Sequence, residues 1–396
     1  MGERKTNLLC AVVVAVSASH LLICLQVILQ RGAYPFGDFF AIWSYARMVF
    51  AGHAADLYDA ARMHDAQLAL RLPTAQALGL SPSAVMPFAY PPIFLPMLWP
   101  LALFSYPVAA GVWLGGTLAL YVWAVCHRAR PLWLFVLFAI VAPTTAVNLS
   151  FGQSGFLCAA LLIGGLRLVD ARPVLAGVLF GLLAYKAQFG LLVPVALVAA
   201  RQWRCLASAG VTVVALAGAT AIAFGEAIWS EWLRSLPTYA AWFDQHTRSA
   251  GVRVSVRDTL RMLGVAPDAA AIAQALAVVG GLVVAWVSFR RDRGELAVAT
   301  VVAATCLAAP HALVYDMVML TGAVLLYMQH RLGSGAAFSL LDIAIILLVL
   351  VVPAAMAWGA AGPIMGLAAI LLSTARFMIA SMAGSSVPRL APRASA

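Results

Sequence analysis

An all-α polytopic membrane protein, a bundle of about twelve crossing helices, is the fold class the sequence predicts, and three observations predict it. Hydrophobic residues make up 64% of the 396 positions and charged residues 10%, against roughly 45–50% and about 25% in a soluble domain. Fifteen acidic and twenty-five basic residues cannot clothe a soluble core of this size. Apolar stretches recur along the chain at lengths near the ~20 residues that a bilayer crossing needs. The basic residues fall on alternate connections between those stretches, as a positive-inside bias requires.

The elements follow in order. NLLCAVVVAVSASHLLICLQVILQ, residues 7–30, is too long for a signal-peptide core and lacks a small-residue cleavage site, so it is expected to stay as the first span. A long loop, 30–106, follows. Within it FFAIWSYARMVFAG has the periodicity of a helix lying along the interface. YPPIFLPMLWPLALF, 90–104, reads as a short interfacial or re-entrant element, because five prolines between 90 and 107 remove backbone donors. Further spans are expected near 107–126, 131–148, 153–168, 173–185, 188–200, 205–225, 272–289, 295–309, 312–329, 336–356 and 361–380.

With Glu3, Arg4 and Lys5 cytoplasmic, the short loops carrying Arg128 and Arg130, Arg167 and Arg172, Arg201 and Arg204, Arg290, Arg291 and Arg293, and Arg331 all fall on the cytoplasmic side. The long loops 30–106 and 226–271, with nine carboxylates between them, fall outside. The expectation is one integral membrane domain over 1–380, with a short cytoplasmic tail, 381–396. Both termini are then cytoplasmic, and the joins at 149–152, 186–187 and 310–311 face the same outer compartment as the long loops.

Composition excludes several functions. The net charge of +10 is spread over short loops with no basic stripe interleaved with aromatics, so it serves orientation against anionic lipid and no nucleic-acid partner is expected. No P-loop or dinucleotide fingerprint occurs. Cys10, Cys24, Cys126, Cys158, Cys205 and Cys306 all fall in or near apolar segments, which supports core packing and neither a disulfide framework nor a thiolate metal site. No internal repeat is visible, which argues against a transporter built from repeats.

The polar residues of the outer segments are the candidate site. Asp38 opens the interfacial helix among Phe39, Phe40, Trp43 and Tyr45, and two readings stand: a helix cap, or a carboxylate in a partly dry wall that is costly unless used. GHAADLYDAARMHDAQ places His53, Asp56, Asp59, His64 and Asp65 together without a compact metal-ligand frame; Asp56 and Asp59 suit turns. In APTTAVNLSFGQSG, Asn148, Gln153 and Ser154 suit sugar hydroxyls as well as helix ends. Lys186, in AYKAQ, is the only lysine besides Lys5. It either snorkels to headgroups or holds a phosphate, which would compensate a desolvated cation. The segment 225–261 mixes Trp229, Trp232, Tyr239, Trp242 and Phe243 with Asp244, His246, Arg248 and other charges, a mixture suited to an amphiphile. APHALVYD places His311 at the cavity rim, with Asp316 deeper and suited to pairing within the bundle.

GDFFAIWSYARMVFAGHAADLYD, FAYPPIFLPMLWPLALFSYPVAAGVW, FGQSG and LLAYKAQFGLLVPVALVAARQWR together resemble glycosyltransferase family 87, most clearly over 30–205 and on through PHALVYD. The resemblance implies a C-type glycosyltransferase bundle of the bacterial inner membrane using a polyprenyl-phosphate sugar, mannose transfer being the best-known activity. It implies Asp38 as catalytic base and matches the family's motifs at Tyr90, Pro91 and Pro92, at Gly152 and Gln153, and at Lys186. The family's lysine is usually followed by proline; here Ala187 stands instead, which would soften the helix break.

On this reading Lys186, with His311 or Arg248, would steady the donor phosphate, while Gln153 and Tyr90 shape the donor site. His53, Asp244 and His246 are candidates on the acceptor side. No metal and no cofactor is expected; the lipid-linked sugar is a substrate, and the partners are membrane lipids and a lipid or glycan acceptor. A lipid-linked sugar flippase, an oligosaccharide ligase and a noncatalytic scaffold are the competing readings.

Overall fold

The computed structural model describes residues 37–78, 87–247, 252–355 and 361–384. The expected first span, 7–30, and most of the tail lie outside the described residues. Helices of seven residues or more are labelled in chain order. The first are α1 (Gly37–Phe50) and α2 (Ala60–Leu78), then α3 (Tyr106–Cys126), α4 (Leu132–Val141), α5 (Pro143–Phe151), α6 (Gly155–Leu168), α7 (Pro173–Leu183) and α8 (Val193–Ala199). The second half comprises α9 (Trp203–Phe224), α10 (Ala227–Thr247), α11 (Val256–Met262), α12 (Pro267–Arg291), α13 (Glu295–Ala308), α14 (Val318–Gly333), α15 (Leu340–Ala355) and α16 (Ala361–Gly384). The first residues assigned to the tail thus finish α16.

The described residues are all-α, but the count of about twelve crossings is not met. Five helices among them are long and apolar enough to cross a membrane: Tyr106–Cys126, Pro173–Gly190, Trp203–Phe224, Pro267–Arg291 and Ala361–Ala383. The bent pair α4–α5 makes six, with 48° between its halves at Ala142 and Pro143. Such helices fit a multi-pass membrane protein.

The shortfall has a physical cause. Helices α6 and α13 are 14 residues long and α14 is 16, about 21–24 Å at 1.5 Å per residue, short of a ~30 Å hydrocarbon core. Every residue of α6 is buried, as are nearly all of α13. These helices meet other helices on all sides, so they escape the length rule that lipid imposes on an exposed span. The Pro92–Leu103 segment is also too short to cross; Pro92, Pro96 and Pro100 break it into 3-10 and α turns.

Packing follows the small residues. Helix α9 runs along α7, where Gly177 and Gly181 lie one helical turn apart. A Cβ on Gly177 would sit 2.4 Å from the Cys205 carbonyl oxygen, and one on Gly181 would sit 2.4 Å from Thr212 Cβ. Gly177→Leu should therefore push α9 off α7 and destabilise the fold by about 1–3 kcal/mol. Gly218→Leu, on a face of α9 with open space, should melt like wild type in detergent. Equal melting of the two variants would refute the close approach.

The loops assigned to the cytoplasmic side meet at one end of the bundle. Buried Arg167 donates to the carbonyls of Ala124 (2.7 Å) and Val125 (2.8 Å) and pairs with Glu295 at 3.2 Å. Arg293 pairs with Asp170 at 2.7 Å, which also accepts from Gln202, and Gln329 donates to Val125. Connections as much as 204 residues apart in the chain are thereby tied together at that end. Cys126, Cys158, Cys205 and Cys306 are buried and free.

Candidate functional site

Asp38 stands in the first turn of α1, whose apolar face fixes its position. Phe39 is fully buried; Phe39, Phe40 and Trp43 surround the Tyr106 ring with centroids 5.5–6.0 Å away. Trp43 Nε1 donates to the Phe104 carbonyl at 3.2 Å, and Tyr45 donates its hydroxyl to the Pro87 carbonyl at 3.2 Å. The carboxylate is left half-buried at the helix start.

Its direct partner, Gln153, comes from the α5–α6 join, where the sequence suggests a ligand for sugar or phosphate oxygens. Gly152 takes φ +74°, the left-handed end of α5, and its N–H reaches the Asn148 carbonyl at 2.9 Å. The next residue is thereby turned inward. Gln153 Nε2 donates to Asp38 Oδ2 at 2.8 Å, while its Oε1 accepts from the Tyr90 hydroxyl at 3.4 Å and from the Ser154 N–H at 3.4 Å. Asn148 Oδ1 accepts from the Gly155 N–H at 3.2 Å and holds the turn. A Cβ on Gly155 would meet the Tyr315 carbonyl at 2.5 Å, so only glycine lets α6 begin beside that segment.

Tyr90 is fixed by the first loop and by α10. Its carbonyl accepts from the Tyr58 hydroxyl at 2.9 Å, and Trp232 Nε1 donates to the adjacent Ala89 carbonyl at 3.2 Å. The Tyr90 ring lies against Phe94 (4.8 Å) and Tyr185 (6.1 Å). Tyr185 stacks on Phe94 at 4.3 Å and donates to the Ser154 carbonyl at 3.3 Å. Lys186 follows directly. It closes a 3-10 turn, Ala184–Lys186, with φ −126° and ψ 66°. The helix is irregular at the lysine, just before Ala187, while Pro173–Gly190 runs on as one apolar helix.

The lysine is not a lone cation. Its ammonium pairs with Asp316 Oδ1 at 3.0 Å, both side chains being buried, and lies over the rings of Tyr315 (5.2 Å) and Phe189 (5.7 Å). Asp316 Oδ2 accepts from the Leu313 N–H at 3.2 Å, which fixes the carboxylate to its own turn. The sequence reading assigns Asp316 to pairing within the bundle but misses its partner, 130 residues away. The only available signal was one buried cation and one buried anion in separate apolar surroundings.

Burial pushes the Asp38 carboxyl up to about 6; the Gln153 hydrogen bond and the nearby positive charge of Lys186 hold it from rising further. Tyr239, on α10, completes this group. Asp38, Tyr90, Lys186 and Arg253 all act electrostatically on its phenol, and burial raises its pKa, so it remains a neutral hydrogen-bond donor at pH 7. The sequence reading counts Tyr239 only among interfacial aromatics.

The other candidates fall elsewhere. His53 sits beyond the far end of α1, roughly 18 Å along its axis from Asp38. There it meets Asp56 at 3.2 Å in a groove of about 350 Å³ lined by Arg47, Arg62 and Leu70 among others. Asp244 pairs with Arg253 at 2.9 Å and with Arg261 at 3.8 Å. Arg253, unremarked in the sequence reading, is the hub: it also reaches Asp258 at 3.3 Å and stacks on Phe243 at 4.5 Å. His311 is exposed and meets the Phe243 ring edge at 6.3 Å, with Asp258, Arg257, Arg253 and Asp244 as its charged neighbours. It therefore belongs to the Arg253 cluster, and no contact with Lys186 brings it to the ammonium. His246 lies in the last turn of α10, and Arg248 lies outside the described residues. Among the described residues no group of three or more His, Cys, Asp or Glu side chains is gathered to hold a metal.

The Arg253 cluster is joined to the lysine pair through the backbone. Arg253 and Leu313 form an antiparallel β-bridge, with Val254 N–H donating to the Ala312 carbonyl and Val314 N–H to the Val252 carbonyl, both at 2.9 Å. Asp316 follows three residues after Leu313.

One carboxylate steadied by an amide, a buried cation close by and a wall of tyrosines thus come from five separated segments. No curated protein and no solved structure matches the chain. A family model does match, over residues 88–310, more than half of the chain, and spans Tyr90, Gln153 and Lys186: the chain belongs to glycosyltransferase family 87.

Proposed function

We propose that the protein transfers a monosaccharide, mannose or another hexose, from a polyprenyl-phosphate donor to a hydroxyl of a lipid or glycan acceptor. The reaction takes place on the non-cytoplasmic face of a bacterial inner membrane, within a C-type bundle whose termini are cytoplasmic. The observation that carries this reading is the Asp38–Gln153 pair standing within electrostatic reach of Lys186. A base and a phosphate-holding cation are the two groups such a displacement needs.

The acceptor oxygen attacks the anomeric carbon while Asp38 accepts its proton. The bond from the anomeric carbon to the phosphate oxygen breaks, and its electron pair remains on the phosphate. That leaving group is already an anion and needs no general acid, so one carboxylate suffices for inversion, unlike the paired carboxylates of glycoside hydrolysis. Lys186 stabilises the phosphate as charge grows on it. Gln153 orients Asp38, and Tyr90 and Tyr239 supply neutral donors to sugar oxygens. His53, Asp244 and His246 are the candidates for the acceptor side, and His311 and Arg248 are the further candidates for the donor phosphate.

The test is purified protein in lipid with a panel of radiolabelled polyprenyl-phosphate sugars and extracted bacterial lipids. Transfer is expected from at least one donor, and it should persist in a chelator. Because the base must be ionised, the rate should fall about tenfold per pH unit below about 6 and level off above it. No transfer across the panel sinks the reading, and a rate constant from about pH 5 to pH 8 removes Asp38 from the proton transfer.

A further inference from the structure

Among the described residues Lys186 pairs with one carboxylate, Asp316, and the two members of that pair are held differently. Asp316 is fixed by its turn, since Oδ2 takes the Leu313 N–H while Oδ1 takes the ammonium. Lys186 reaches Asp316 on a flexible four-carbon stem, and its other contacts are the faces of Tyr315 and Phe189. Its remaining N–H groups can turn to a phosphate while the carboxylate stays in place.

The charge of that phosphate changes during the proposed reaction. The donor is a phosphodiester with one negative charge. When the bond to the anomeric carbon breaks, the electron pair stays on oxygen, the acceptor proton goes to Asp38, and polyprenyl phosphate is left as a monoester approaching two negative charges. A buried ammonium alone would hold the product more tightly than the substrate, because attraction at low dielectric grows with charge. A fixed carboxylate 3.0 Å from the ammonium acts in the opposite sense: it repels the product more than the donor.

We propose that Asp316 is a positioning residue for product release, sharing the Lys186 ammonium so that the phosphomonoester is let go after transfer. The inference rests on the glycosyl-transfer reading and adds a role that the pairing of Lys186 alone reveals.

The test is Asp316→Asn, which keeps an oxygen for the Leu313 N–H, with Asp316→Ser as a second charge-free variant and thermal melting as the check on folding. Polyprenyl phosphate alone is the probe. In either folded variant its inhibition constant should fall about tenfold or more, and the donor KM should fall less. Steady-state kcat should drop while the single-turnover rate is retained. Wild type that binds polyprenyl phosphate, with a variant that binds it equally or more weakly, overturns this inference alone. Wild type that neither binds it nor transfers sugar overturns the glycosyl-transfer reading, and this one with it.

Discussion

Asp38→Asn is expected to lower kcat by about 10²–10⁴-fold, the usual contribution of a positioned general base, without loss of folded protein. Asparagine keeps an oxygen for the Gln153 amide, so the 2.8 Å contact has a successor. The effect on stability has a definite sign. The folded pKa of Asp38 lies above the ordinary value of 3.8. The protonated group is therefore the form the fold favours: its contribution is complete below about pH 3.8 and is lost as the pH rises through about 6. At neutral pH an ionised Asp38 is a burden on the fold, and the variant should melt at the same temperature as wild type or higher. A folded variant with unchanged turnover would leave Asp38 as a helix cap and nothing more.

Lys186→Met should be the more damaging change, because two losses coincide. Removing a fixed cation aimed at a leaving group costs about 10²–10³ in rate. It also strands the Asp316 carboxylate, 4% exposed, and breaking a buried pair from one side costs about 3–5 kcal/mol. The double variant Lys186→Met with Asp316→Asn separates the two effects. It should recover most of the melting temperature, since no buried charge is left unmatched, and recover none of the transfer. Activity returning together with stability would show that the lysine serves only the fold.

How much of this was legible in the sequence depends on what kind of signal each feature leaves. The helices were legible because apolar runs leave little alternative. Their lengths were not. A hydropathy window reads α6 and α13 as spans, since a side chain facing another helix and one facing lipid have the same composition. Gln153 stood out as a candidate because it follows glycine at a join between apolar runs, and Asp38 because carboxylates are rare in aromatic surroundings; that the two meet was not legible. The Lys186–Asp316 pair was half legible: each charge stood out, but nothing local joins positions 130 residues apart. Arg253 left no signal at all, for an arginine in a loop rich in both charge signs reads as solvated, whereas here it is 8% exposed and binds two carboxylates. His311 stood out as a histidine beside a helix start, but nothing local showed that its neighbours would be Phe243 and the charges around Arg253.

The β-bridge between Arg253 and Leu313 carries a consequence for how such an enzyme could be tuned. The segment Val252–Val254 is held by backbone hydrogen bonds to the turn that precedes Asp316, so lengthening the loop before it, or altering its charge, would act on the lysine's counter-ion from a distance. Natural variation there would adjust turnover speed while leaving the choice of sugar alone, as a throttle does for an engine whose fuel is unchanged.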